Sequence, residues 1–400
     1  MNMKICFDRE QEDILLSNFN NSKHILELSY ATSWFEENRD YPTLLNNFIH
    51  VFQYTDMCFR SCFPIRPSEN RGFFASMFFR GIDDYYNRDT SYQLYHMMHT
   101  AQMSWYYGWL ANEGLHLELI FKWFFEEYLP VEFGVEGFFL SSCHEKSTYA
   151  EKCKSLVIEI ERVLKQFKIY IEEGYVDSEL MDVSSGAIRF EDVPSLCQDK
   201  YIYPHGDECE NIKHLLFSDQ SHLSLLKHER YDNFAQAVHN DALNYNEFHD
   251  FQKVNLDYLL EKQVIEIGSC GNITADIDIV GLLDDLHRNQ VCCFSYMRKY
   301  VGLVDSFKTK GWIEFESTLF TRPEQEYLDY VMNNSKFTNS LGLRNKYCHG
   351  AYPISETQNH TDYLEILKVM ILVIIKINEE FCLSADCKEH ITSVKQANPL

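Results

Sequence analysis

The segment Phe337 to Pro353 carries residue types that together can cleave a phosphodiester. An imidazole titrates at about pH 6.5, so His349 can serve as both acid and base near neutrality. A guanidinium binds phosphate through two parallel hydrogen bonds, which suits Arg344 to stabilising a phosphorane. Asn345 can orient one of these groups or the substrate. Because RNA supplies its own nucleophile, the 2′-OH, these three residues predict catalysis of RNA cleavage without a metal or another cofactor.

The surroundings of these residues are basic, although the chain as a whole is acidic. Its 36 Lys and Arg against 60 Asp and Glu give a net charge of −24, which excludes a protein that coats nucleic acid with its whole surface. From Tyr330 to Ser355, however, there is no Asp or Glu. In this acid-free window, Lys336 and Lys346 are predicted to contact an RNA backbone. Tyr347 is predicted to stack on a splayed base, as single-stranded RNA recognition often requires.

A short helix is predicted to carry these residues. The run Thr338–Ser340 can cap the start of a helix, and Gly350 can end it. Arg344 and His349 are five residues apart, which places them about 140° apart around a helix axis. They do not share one helix face, so a single helix makes only a poor site.

A longer amphipathic helix is predicted from Asp362 to Phe381, with apolar residues on one stripe that a helical bundle can bury. The pattern Arg344-Asn345-x3-His349, followed by this helix, resembles the HEPN superfamily, the helical domains named for higher eukaryotes and prokaryotes nucleotide binding. The detailed resemblance is confined to the motif. At the level of fold it covers Asp207 to Leu383.

This resemblance implies a fold, an activity and partners. HEPN domains are four- or five-helix bundles, and many are metal-independent endoribonucleases that pair two copies of the motif across a dimer interface. The resemblance therefore implies an RNA substrate, a homodimer formed through the C-terminal domain and a regulatory partner or second domain that restrains the nuclease. Such proteins often act in antiphage defence or as growth-arresting toxins. Others are non-catalytic modules that bind nucleotides, RNA or proteins, and this alternative stays open.

The fold class predicted for the whole chain is mainly α. The 29 Phe, 25 Tyr and 5 Trp indicate large cores rather than disorder. Residues 1–182 are predicted to form a helical, aromatic-rich domain of unknown role, residues 183–207 a linker or long loop, and residues 208–400 the HEPN-like helical domain with a small β-hairpin at Val264–Ile273. Further helices are predicted at Ser91–Tyr128, with a break near Asn112–Gly114, and at Ser221–Phe248, Phe251–Glu261, Asp276–His287 and Val291–Phe307.

The sequence predicts a cytoplasmic protein without a membrane partner. Its first residues have neither the basic start nor the continuous apolar stretch of a secretory signal. The strongest apolar run, Val369–Ile375, is far shorter than the roughly 20 residues of a membrane span. The 13 Cys form no C-x-x-C pair, and Cys292 and Cys293 are adjacent, which indicates reduced thiols.

Other candidate sites consist of metal-ligating residue types. They are His96 and His99 with Glu113, His116 and Glu118, and His205 with Cys209 and His214. Histidine pairs at helical spacing arise readily in a helical protein with 16 His, so no metal site is predicted. The acidic pairs Asp276/Asp278 and Asp284/Asp285 are predicted to be solvated helix ends.

Overall fold

The computed structural model describes residues 2–22, 25–64, 84–177, 188–224, 231–240, 242–350 and 355–397. These residues are mostly helical, as predicted. Among them no helix is long and apolar enough to cross a membrane. The chain forms two compact units. Among the described residues, unit 1 comprises 2–64, 84–197 and 317–397, and unit 2 comprises 198–316.

This division differs from the predicted one at residue 207. The last helix of the chain belongs with the N-terminal half, and unit 2 is an insertion between two parts of unit 1. The physical reason is that every residue of this helix from 363 to 377 is buried, so the helix needs neighbours all around its axis. Part of the predicted linker, residues 183–187, lies outside the described residues.

Unit 1 begins with a small mixed sheet where the sequence predicted helix. Its strands are β1 (Asn2–Asp8), β2 (Leu15–Asn20) and β3 (Ile25–Ala31). The central strand β3 pairs in parallel with β1 and antiparallel with β2. Phe7 stacks on Trp105 with ring centroids 3.6 Å apart, which anchors the sheet to the aromatic core.

The helices of unit 1 are α1 (Thr32–Glu37), α2 (Tyr41–His50), α3 (Thr90–Asn112), α4 (Leu117–Trp123), α5 (Leu129–Phe133), α6 (Tyr149–Glu173), α12 (Arg322–Met332), α13 (Leu343–Cys348) and α14 (Glu356–Ala397). Local capping explains several of their ends. Thr148 and Glu151 form a capping box at the start of α6, and Gly174 ends that helix in the left-handed conformation. The predicted break after Asn112 is confirmed, with Gly114 at φ +71°.

The buried helix α14 extends beyond the predicted Asp362–Phe381, and its interior charges are paired. Lys368 Nζ lies 2.9 Å from Glu365 Oε2, and Lys376 Nζ lies 2.9 Å from Glu324 Oε1 of α12. Such pairing is required because an unpartnered charge in a protein interior is strongly destabilising. It lets an otherwise apolar helix pass through the centre of unit 1.

Unit 2 is a set of helices with two small antiparallel sheets. Its helices are α7 (Gly206–Phe217), α8 (Phe234–Asn240), α9 (Asp250–Glu261), α10 (Ile277–Asn289) and α11 (Val301–Thr309). Strand β4 (Tyr201–Pro204) pairs with β7 (Cys292–Cys293) and β8 (Ile313–Glu316). The predicted hairpin is confirmed as β5 (Ile265–Ile267) and β6 (Ile273–Ala275).

Two helix predictions in unit 2 were wrong in part. In the described residues of Ser221–Phe248 only α8 is α-helical, beside 3₁₀ turns at His222–Ser224 and Tyr245–Glu247. The segment Val291–Phe307 contains β7 and the 3₁₀ turn Phe294–Tyr300 before α11 begins. In Val291–Phe307, the pairing of β7 with β4 overrides the helical pattern of the local sequence.

Candidate functional site

The Arg-Asn-x3-His motif lies on α13 and at its C-terminal end. Gly342 precedes this helix at φ +56° and Gly350 follows it at φ +76°, both in the left-handed region. His349 is the C-terminal capping residue, and its backbone N–H donates to the Asn345 carbonyl oxygen at 3.1 Å. The helix is therefore a six-residue segment between two glycines, shorter than the sequence predicted.

The predicted capping residues have a different role. The Thr338 N–H donates to the Asp84 carbonyl oxygen at 2.7 Å. The Asn339 side chain accepts from the Tyr86 N–H at 2.9 Å and donates to the Tyr86 carbonyl oxygen at 2.8 Å. These residues attach the segment before α13 to the chain just before α3, and Gly342 starts the helix in their place.

Arg344 is held by two neighbours. Its Nε donates to Glu161 Oε1 of α6, and its Nη1 lies 3.5 Å from Asn345 Oδ1. Asn345 in turn donates from Nδ2 to Asn334 Oδ1. The side chains of Arg344 and Glu161 are 25% and 23% exposed, so water still reaches this ion pair. Asn345 therefore contacts both Arg344 and Asn334.

His349 is exposed to solvent. Its imidazole has no hydrogen bond or ion pair with any described residue. Residues 351–354, which follow His349 closely in the sequence, lie outside the described residues. Arg344, in contrast, faces α6. Among the described residues, no hydrogen bond or ion pair joins these two predicted catalytic side chains, whose positions are about 140° apart around the helix axis.

Tyr347 does not have the exposure that base stacking requires. Its ring is buried, and its hydroxyl lies 2.6 Å from Asp362 Oδ2 and 2.9 Å from Asn359 Oδ1 of α14. Burial and the neighbouring Asp362 raise the pKa of Tyr347 above its ordinary value. Lys346 forms an ion pair with the same Asp362. In this structure Tyr347 fixes α13 to α14, so we do not retain it as an RNA contact.

The cations of the acid-free window are all paired in the folded chain. Besides the pairs of Arg344 and Lys346, Lys336 Nζ lies 3.3 Å from Glu326 Oε1 of α12, with both side chains about half exposed. The sequence did not reveal the partner of Arg344, because Glu161 is 183 residues away from it. The local excess of positive charge is therefore much smaller than the sequence window suggests.

A further cation near the motif was missed by the sequence reasoning. Lys154 of α6 is exposed and makes no ion pair within the described part of the chain. Burial raises the pKa of the Cys348 thiol, and the charges of Arg344 and Lys154 act in the opposite direction. Lys154 is therefore electrostatically close to α13. No signal in the local sequence marks Lys154, since it lies on α6 and not on α13.

The alternative histidine clusters do not converge on a common point. His96 Nε2 lies 3.7 Å from Glu365 Oε1, and His99 is buried against the rings of Tyr54 and Phe63. Nowhere in the described residues do three or more His, Cys, Asp or Glu side chains group in a way that could hold a metal ion. Asp276, from the acidic pairs, caps the start of α10.

The arrangement around α13 offers an exposed proton-transfer group, an anchored guanidinium and an amide that orients it. These groups suit phosphodiester cleavage if a phosphate can compete with Glu161 for Arg344. Comparison of the chain with protein-family models, with curated proteins and with solved structures gives no match.

Proposed function

We propose that the chain is a metal-independent endoribonuclease of the HEPN type, with Arg344, Asn345 and His349 as its catalytic residues. The observation that carries this proposal is the exposed His349 imidazole at the end of the six-residue helix that also bears Arg344 and Asn345. A histidine that exchanges protons with a bound substrate has to be reachable by that substrate. His349 meets this condition, whereas the buried His99 does not.

In the proposed reaction, a base removes the proton of the RNA 2′-OH and the 2′-oxygen attacks the adjacent phosphorus. The bond to the 5′-oxygen breaks, and that oxygen receives a proton. The products are a 2′,3′-cyclic phosphate and a 5′-hydroxyl. His349 transfers protons, Arg344 stabilises the charge of the phosphorane, and Asn345 holds Arg344 in place.

Because Arg344 and His349 are about 140° apart around the helix axis, a second copy of the chain is part of this proposal. A symmetric dimer would bring two motifs together, so that the arginine of one copy and the histidine of the other act on one phosphate. This is the arrangement that the HEPN resemblance implies.

RNA binding in this proposal begins at Lys154 and continues at Arg344. Lys154 is exposed without an ion pair in the described residues, so a phosphate meets no competing carboxylate there. At Arg344 the phosphate must displace Glu161 or share the guanidinium with it. Lys336 and Lys346 contribute less, because each already has a carboxylate partner.

The proposal is tested by RNA cleavage in EDTA with wild type, His349→Ala and Arg344→Ala. His50→Ala is the matched control, because His50 is also an exposed histidine at the C-terminal end of a helix. We expect His349→Ala to lower the cleavage rate by roughly 100-fold or more, the contribution typical of acid–base catalysis. The His50 variant should cleave like wild type.

Two results would contradict the nuclease proposal. One is cleavage by His349→Ala at the wild-type rate, and the other is complete dependence on a divalent metal. RNA binding without any cleavage would favour a non-catalytic module. The carboxylate pairs on Arg344, Lys346 and Lys336 are the observation that supports this second candidate, since they are typical of a structural helix surface.

A further inference from the structure

Unit 1 contains an apolar cleft that the proposed nuclease does not use. It lies between α2, α4 with the segment that follows it, and α14, and it encloses about 450 Å³, a volume that includes the space at its open mouth. Part of a molecule bound there would therefore stay in contact with water.

The lining of the cleft defines the chemistry of a ligand. Trp123, Phe124 and Tyr128 supply aromatic surface, and Leu, Ile and Pro side chains of α2 and α14 supply the remaining apolar surface. The polar side-chain groups of the lining residues are the amides of Asn46 and Asn378, the Tyr128 hydroxyl and the Trp123 indole N–H. Among the described residues, no charged side chain lines the cleft. A charged ligand would lose its hydration without gaining a counter-ion, so an uncharged ligand is favoured.

The helix that carries the aromatic side of the cleft is locally irregular. Residues Phe124–Tyr128 form a π-helical turn, in which the Leu129 N–H donates to the Phe124 carbonyl oxygen. Pro130 explains this turn, because proline has no N–H to donate and its ring crowds the carbonyl group four residues earlier. Single π turns interrupt α-helices frequently at functional sites. Here the turn supplies two of the three aromatic rings, those of Phe124 and Tyr128.

A hydrogen-bond acceptor of a lining residue has no partner in the described part of the chain. The Oδ1 atom of Asn378 is buried and accepts no hydrogen bond from a described residue. Buried polar atoms of this kind are unfavourable, and each one in a native structure requires an explanation. The terminal amide torsion of asparagine has a broad range, so a donor placed in the cleft can reach this oxygen.

From these observations we propose that the cleft binds a small, uncharged, mainly aromatic molecule that carries one N–H or O–H donor. The ring system packs against Trp123, Phe124 and Tyr128, and the donor hydrogen-bonds to Asn378 Oδ1. Asn46 is exposed and stands at the entrance to the cleft.

The test uses the full chain and the fluorescent probe N-phenyl-1-naphthylamine, which is uncharged, aromatic and has one N–H. We expect saturable binding of one probe per chain. The probe 8-anilinonaphthalene-1-sulfonate, which has the same ring system with an added sulfonate, should bind at least about tenfold more weakly, because the cleft offers the anion no cation.

Substitutions locate the bound probe. Asn46→Trp fills the entrance and should weaken binding at least about tenfold. Because Asn46 is exposed, this change leaves the core intact. His50→Trp, one turn further along α2 and also exposed, is the matched control and should bind like wild type. Asn378→Leu should weaken the binding of N-phenyl-1-naphthylamine by about fivefold, the effect of one hydrogen bond. It should not change the affinity for 1-phenylnaphthalene, which has no N–H.

Three results would overturn the proposal. They are the absence of saturable binding by the uncharged probe, equal affinity for the sulfonated probe, and unchanged binding in Asn46→Trp. Circular dichroism and thermal unfolding of each variant exclude loss of fold as the cause of weaker binding.

Discussion

Removing the charge of Glu161 is expected to increase the affinity of the chain for RNA. Arg344 donates from Nε to this carboxylate, so a phosphate that binds the guanidinium has to displace it or share it. Glu161→Gln keeps the size of the side chain and one acceptor oxygen but removes the competing charge. The same change should have little effect on the fold, because the pair is partly exposed.

The size of this effect follows from the exposure of the pair. Fully exposed ion pairs typically contribute 0.2–1 kcal/mol, and the contribution rises as water is excluded. With side chains 25% and 23% exposed, the Arg344–Glu161 ion pair is expected to contribute about 1 kcal/mol, the upper end of that range. A gain of about 1 kcal/mol corresponds to roughly fivefold tighter binding.

The assay is fluorescence anisotropy of a labelled single-stranded RNA, with His349→Ala as the background so that the RNA stays intact. We expect Glu161→Gln to bind about fivefold more tightly at low salt, with a smaller gain at high salt because ions screen exposed charges. Glu326→Gln is the matched control. Its partner Lys336 is more exposed than Arg344, so the gain there should stay below about twofold.

The reasoning would be refuted by unchanged or weaker RNA binding in Glu161→Gln. It would equally fail if Glu161→Gln tightened binding by the same factor after Arg344→Ala had been introduced. In that case the gain would come from the change in net charge rather than from release of Arg344.

Three further predictions concern stability. Tyr347→Phe should lower the free energy of unfolding by about 1–3 kcal/mol in urea, because Asp362 loses a buried donor, and an unchanged midpoint would contradict this role of Tyr347. Burial first, and then the charge of Lys368, hold the pKa of His99 well below its ordinary value. Below about pH 6.5 the unfolded chain therefore binds a proton that the folded chain does not. As the pH falls below about 6.5, this difference should lower the free energy of unfolding by up to about 1.4 kcal/mol per pH unit. His99→Leu should lack this pH dependence. Lys376→Met should cost about 3–5 kcal/mol of unfolding free energy, since its carboxylate partners stay buried, and a loss below about 1 kcal/mol would show that they are not charged.

Features that depend on local sequence could be predicted. The break between α3 and α4 follows from Gly114, which ends a periodic apolar pattern at positive φ. The β5–β6 hairpin follows from alternating apolar residues around the turn Gly268–Gly271. In both cases residues within a few positions of each other decide the backbone conformation.

Features that depend on contacts between distant residues could not be predicted. The apolar residues of α14 identify a buried helix, but not the helices that cover it, among them α3 and α6, which precede unit 2 in the sequence. The site shows the same limit. Local sequence placed Arg344 and His349 on one short helix, yet the pairing of Arg344 with Glu161 and the burial of Tyr347 depend on α6 and α14.

The most direct test of the proposed chemistry is cleavage, in EDTA, of two RNA oligonucleotides that differ by one 2′-oxygen. The first is all-ribose, and its cleavage position and 3′ ends are mapped. The second carries a single 2′-deoxynucleotide immediately 5′ of that position. If the 2′-OH is the nucleophile, the first RNA should yield 2′,3′-cyclic phosphate ends and the second should stay intact at the mapped position. Cleavage at the deoxynucleotide, or fragments with 3′-hydroxyl ends, would contradict the proposed function.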